Sequence, residues 1–165
     1  MTTLAIDTLH DLVATGRLPQ AIAAATQALA DPALDADERM ALLPLRFDCH
    51  FMRMELAQAG ADVQAMLALA RRPADAARQA QARVCESRLH WRVGDAPASL
   101  AAAQAALKSA RRSGRPALVA HSLAALGNAQ SDMGDLPAAL AHAQQAEDNV
   151  VNQKLTLRLL QQMGY

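Results

Sequence analysis

Arg88 and Arg92 are the sharpest chemical feature of this chain. Four residues apart on a helix, they share one face and can jointly hold a carboxylate. The plainer alternative is that they are solvated or pair with Glu86 and Asp95. Four zinc-type ligands, Cys49, His50, Cys85 and His90, invite a metal reading. Adjacent residues on a helix diverge by about a hundred degrees, which separates Cys49 from His50, and Cys85 and His90 diverge as well. Both cysteines fall on apolar stripes, where a buried free thiol is ordinary, so no metal site is expected. Trp91, the sole tryptophan, is either an exposed anchor or an element of helix packing. The chain carries no P-loop, G-x-G-x-x-G, G-x-S-x-G or H-E-x-x-H, and no carboxylate pair stands in an apolar setting suited to acid–base work. The expectation is a non-catalytic protein that holds no cofactor.

Composition narrows the partners. With 16 basic and 16 acidic side chains among 165 residues, the formal net charge is zero, which removes the electrostatic footprint of a nucleic-acid binder. Aromatics at 2% leave little for base stacking. Two cysteines make no disulfide framework and suit a reducing compartment. The first residues, MTTLAIDTLHDLV, lack a basic leader and a long apolar run. The longest uncharged stretch, Pro116 to Ser131, is too short and too polar to span a bilayer. A cytoplasmic protein without a membrane segment is expected.

Helical periodicity positions these residues, and no β-alternation competes with it. A first helix is read over Thr3 to Thr15 and a second over Leu18 to Ala30. A long third helix over Asp35 to Ala59 contains Pro44, which either kinks it or starts its second half. Gly60 ends that helix, and a fourth runs from Asp62 to Arg72. The fifth spans Pro73 to Val93, the sixth Pro97 to Arg112, the seventh Pro116 to Met133 and the eighth Pro137 to Asp148. A last helix covers Val150 to Met163. The basic run Lys108, Arg111, Arg112, Arg115 falls at the C-terminus of the sixth helix, where it complements the macrodipole.

The stretch Met133 to Ala146, MGDLPAALAHAQQA, ends one helix and starts the next, and echoes of it begin at Gly16, Gly60 and Gly94. These glycines lie 44, 34 and 40 residues before the next, in the range of a two-helix repeat. Five residues after each comes a small side chain (Ala21, Ala65, Ser99, Ala139), and six after comes a large apolar one (Ile22, Met66, Leu100, Leu140). One such hairpin cannot bury its own apolar face, so neighbours must stack. With Leu126-Gly127, Gly134-Asp135-Leu136, Ala139 and Ala146, the last repeat resembles the tetratricopeptide repeat (TPR) family, and Gly16-Arg17-Leu18 with Ala21 and Ala28 is the next best match. The usual aromatic of the first helix is replaced by Leu12, Leu56, His90 and Gln130.

The resemblance implies an all-α, right-handed α–α superhelix of about four hairpins (3–30, 36–72, 73–112 and 116–148) with a C-terminal capping helix at 150–163, all in a single domain. It also implies a concave groove lined by the first helices, which binds a peptide or a partner helix. With the glycines as a ruler, the groove candidates are His10, Met54, Arg88 and Asn128 six residues before, Arg92 and Asp132 two before, and Phe47 and His121 thirteen before. Asn128 stands where several peptide-binding members use an asparagine to hold a partner. The expected function is therefore a protein-interaction scaffold. The alternatives are a sensory or regulatory module of a larger bacterial signalling protein, and a structural domain that forms a homodimer through its C-terminal helix.

Overall fold

A left-handed backbone residue decides where each helical hairpin turns. The computed structural model describes residues 2–71 and 75–162, with side chains for 6–71 and 75–151. Among them the order is α1 (Thr2–Ala14), α2 (Leu18–Leu29), α3 (Ala36–Met52), α4 (Leu56–Leu69), α5 (Ala76–Val93), α6 (Ala96–Ser113), α7 (Pro116–Asp132) and α8 (Leu136–Gln162). No strand occurs among the described residues. No helix there is long and apolar enough to cross a membrane.

Three of the four turns use glycine at positive φ: Gly16 at 71°, Gly94 at 81° and Gly134 at 80°. At Gly94 the N–H donates to the Trp91 carbonyl at 3.1 Å, and the next N–H, of Asp95, reaches back to the His90 carbonyl at 2.9 Å. This double bond pattern closes the end of a helix and turns the chain at once. Gly16 and Gly134 repeat it, with Arg17 N donating to Leu12 O and Asp135 N to Gln130 O. The next helices begin immediately, and Asp95 and Asp135 cap them by accepting from the N–H groups of Ala98 and Ala138 at 3.1 and 3.2 Å.

The second hairpin departs from the sequence reading. Gly60 lies inside α4, and Met54 makes the turn, at φ 61°. Met54 N donates to Phe51 O at 3.2 Å and Glu55 N to His50 O at 2.9 Å, the same pair of bonds that glycine makes elsewhere. A left-handed L-residue is strained by roughly 1–2 kcal/mol, and the neighbouring side chains hold it in place. The Glu55 carboxylate accepts from His50 Nδ1 and from Arg53 Nε, each at 2.7 Å. Those bonds, His50 first and Arg53 second, pull the Glu55 carboxyl below its usual range. The turn residues are thus Gly16, Met54, Gly94 and Gly134, spaced by 38, 40 and 40 residues, and the irregular spacing read from the glycines disappears.

Two further boundaries differ. α3 passes through Pro44 unbroken and ends at Met52 rather than Ala59. Its start is fixed by a reciprocal capping box: Glu38 N donates to Asp35 Oδ1 at 2.8 Å, and Asp35 N to Glu38 Oε2 at 3.0 Å. The separate eighth and terminal helices are one helix, α8, because no Gly or Pro interrupts the chain near Asn149. Arg72, Pro73 and Met163, read as helix ends, lie outside the described residues.

The chain forms two compact units, Met1–Pro73 and Ala74–Tyr165. Each repeats one packing scheme. In the first unit α1 packs on α2 and α3, α2 on α3, and α3 on α4; in the second α5 packs on α6 and α7, α6 on α7, and α7 on α8. The first core gathers Leu9, Ala21, Ala25, Leu42 and Cys49, with Ile22 and Leu45 against it. The second gathers Ala103, Leu107, Leu123, Ala125 and Leu126, with Leu100 and Val119 alongside. In both, alanines at the seam let helices approach closely while leucines fill the space between them.

Met54→Gly should raise stability by about 0.5–1 kcal/mol by releasing the strain, and Gly94→Ala should lower it by about 1 kcal/mol, both read from denaturant midpoints. Because the folded-state carboxyl of Glu55 titrates low, its stabilisation is complete above the unfolded carboxyl value of about 4.3 and is lost as pH falls through the folded value. Glu55→Gln should therefore be less stable than the parent chain at pH 6 and converge with it near pH 2–3 in unfolding experiments.

Candidate partner-binding surface

The second unit collects five of the eight groove candidates on two packed helices. Arg88 and Arg92 lie on α5; His121, Asn128 and Asp132 lie on α7, and the two helices are in contact. Measured from their turn residues, Arg88 is equivalent to Asn128 and Arg92 to Asp132, so each pair occupies matching positions on neighbouring helices. The arginines are half-buried, while His121, Asn128 and Asp132 are exposed. The acids named beside the arginines have defined roles: Glu86 pairs with Arg83 at 2.6 Å, and Asp95 caps α6.

The end of α5 adds an aromatic edge. The Arg92 guanidinium lies 5.3 Å from the centroid of the Trp91 ring, within cation–π range. Trp91 is 37% exposed, and Val93 is exposed beside it. Across the neighbouring turn Met133 and Leu136 are exposed as well. The surface therefore combines guanidinium groups that can hold a carboxylate, a free-standing amide at Asn128 that can both donate and accept, and apolar side chains near the turns.

The first unit corrects two candidates. Phe47 is fully buried and stacks on Phe51, with ring centroids 5.6 Å apart, so it is a core residue and not a groove residue. Met54 is the turn residue itself, 55% exposed and off the face of α3. Both were misplaced because Gly60 is six residues beyond the real turn. With Met54 as the reference, the position equivalent to Arg88 and Asn128 is Asp48, half-buried on α3. His10 is exposed on α1, which packs on α3.

The cysteines occupy cores rather than a site. Cys49 and Cys85 are buried thiols outside any disulfide, one in each unit. Burial, aided by the Asp48 charge, pushes the Cys49 thiol up, which makes it a poor nucleophile.

A different cluster had no counterpart in the sequence reading. Asp62, expected at the start of a fourth helix, is buried in the middle of α4 and binds Arg46 of α3. Arg46 donates Nε to both carboxylate oxygens at 3.1 and 3.2 Å, Nη2 to Oδ1 at 2.6 Å, and Nη1 to Thr26 Oγ1 at 3.1 Å. Sixteen residues separate Arg46 from Asp62, and a pairing at that range shows only once the hairpin turn is correctly placed.

Compared with family models, curated proteins and solved structures, the chain matches none of them.

Proposed function

We propose that this chain is a non-catalytic interaction module that receives an extended peptide or a partner helix across the exposed face of α5 and α7. Its hairpins are read as TPR-like, in the right-handed solenoid arrangement that the sequence resemblance implies. The observation that carries the proposal is the matched placement of Arg88 with Asn128 and of Arg92 with Asp132 on two helices in contact. Such rows offer hydrogen-bonding groups at a regular spacing along a groove, the arrangement by which helical repeats hold a chain with its own backbone groups exposed. The Trp91 edge supplies the aromatic anchor that concentrates binding energy. An acidic segment, or one ending in a carboxylate, suits the arginines.

A specific observation also favours self-association. On α8, Leu136 and Leu140 are 63% and 61% exposed, and Val150 and Val151 lie further along the same side. In the other hairpins with a large residue at the position of Leu140, Ile22 and Leu100 are packed against the cores of their units. The α8 stripe is thus the surface that a following helix covers elsewhere, and a second copy of α8 would cover it isologously.

Arg88→Ala combined with Arg92→Ala should abolish capture of partners from a cell lysate while leaving the far-ultraviolet circular dichroism unchanged; undiminished capture would remove both arginines from the site. Sedimentation equilibrium should show a concentration-dependent dimer that Leu140→Glu converts to monomer. A parent chain that remains monomeric at high concentration would sink the self-association reading and leave the groove reading standing.

A further inference from the structure

The first unit holds an apolar cleft at a place where the second unit packs four apolar side chains together, and the difference lies in two arginines. The cleft, 650 Å³ in volume, runs between α2 and α4 over the outer half of α3. That volume falls in the range of small-molecule sites. Leu43, 4% exposed, forms its floor, and Leu29 and Leu69 stand on either side. The α4 wall is otherwise made of Ala65 and Ala68, too small to fill the space.

Counted from the turn residues, Leu29, Arg39, Leu43 and Arg46 are equivalent to Leu107, Val119, Leu123 and Leu126. In the second unit those four pack together as an apolar cluster. In the first unit, guanidinium groups replace Val119 and Leu126, and the cleft remains open. A buried ion pair such as Arg46 with Asp62 is not intrinsically more stabilising than the apolar packing it replaces, so stability does not account for the substitution.

The charges in the cleft are unequal. Arg46 is matched by Asp62. Arg39 donates Nε to Leu34 O at 3.3 Å, Nη1 to Leu29 O at 3.1 Å and Nη2 to Asp31 O at 2.8 Å, all of them backbone carbonyls. These bonds fix the α2–α3 connection and leave one N–H on each terminal nitrogen of Arg39 for another acceptor. No acidic side chain lines the cleft among the described residues.

We propose that this cleft binds an aliphatic carboxylate, its chain lying along Leu29, Leu43 and Leu69 and its carboxylate accepting from the two terminal nitrogens of Arg39. The apolar walls select the chain and the surplus guanidinium selects the acid. The ligand would bridge α2, α3 and α4, which makes the first unit a ligand-responsive element separate from the α5–α7 surface.

The test titrates the full chain with decanoate, and with decanol and decyltrimethylammonium as neutral and cationic counterparts, by calorimetry below their micelle concentrations. The expected result is saturable 1:1 binding of decanoate, at least about tenfold tighter than either counterpart, equivalent to about 1.4 kcal/mol. Ala68→Trp, placed on the exposed cleft wall, should abolish that binding without moving the denaturant midpoint. The Arg88→Ala, Arg92→Ala chain should bind decanoate as the parent does, which separates this proposal from the groove reading. Equal affinity for decanol, undiminished binding by a folded Ala68→Trp chain, or no saturable binding would each overturn it. The ligand series on the unaltered chain stands even where the tryptophan variant does not fold.

Discussion

The left-handed residue between the two helices of a hairpin is the constraint on which the rest of the structure depends, because it fixes rotational phase as well as direction. With the chain reversed over so few residues, the residue seven before the turn and the residue five after it come to lie at the seam. The pairs are Leu9 with Ala21, Phe47 with Ala59, Ser87 with Ser99 and Gly127 with Ala139. The second member is always small, so the first can vary from phenylalanine to glycine. The two smallest pairs show how close the backbones come. A Cβ added at Gly127 would sit 3.1 Å from the Ala139 carbonyl oxygen. Ser99 Oγ donates to the Ser87 carbonyl at 3.0 Å and lies 3.2 Å from Ser87 Oγ. These hydroxyls are buried but satisfied, so the polar pair carries little of the penalty that an orphaned one would.

The same turn geometry is reached by two chemistries. Glycine reaches it without strain because it lacks a Cβ. Met54 reaches it against a steric penalty, with two charge-assisted hydrogen bonds to Glu55 fixing the residues on either side. This local solution also orients His50, which is buried beneath the turn. The second hairpin therefore depends on a side-chain network at a point where the others depend on the backbone.

That difference explains what the sequence could and could not disclose. Gly16, Gly94 and Gly134 announce their turns by residue type, and the helix ends that flank them fall within one residue of expectation. Met54 carries no such signal, and Gly60 supplied a false one, so α3 was read too long and α4 too short. The error then spread to the candidate residues. It put Phe47 and Met54 among the groove candidates and placed Asp62 at a helix start instead of mid-helix. Arg88 and Asn128, like Arg92 and Asp132, stand at matching distances from Gly94 and Gly134, which do mark turns. The continuity of α8 has another cause: Asn149 and Val150 are weak helix formers, but no Gly or Pro stands near them to end the helix. The Arg46–Asp62 bond was illegible in principle, since a pairing across two helices depends on phase and not on local pattern.

Equivalent positions in the two units show where packing logic gives way. At the outer end of the second unit, Leu107, Val119, Leu123 and Leu126 do what a periodic apolar pattern demands. At the matching place in the first unit, Arg39 and Arg46 break that pattern. Each is elaborately bonded, one to three carbonyls and the other to a buried carboxylate and a threonine. A chance polar substitution in a seam would leave unsatisfied groups or a locally weakened core. Here the charges are accommodated, yet the space beside them is not filled. Natural sequences tend to break their own packing rules at functional sites. The cleft is such a break within an otherwise regular repeat, and the contrast with the apolar cluster of the second unit is visible only because both hairpin sets are built on the same turn.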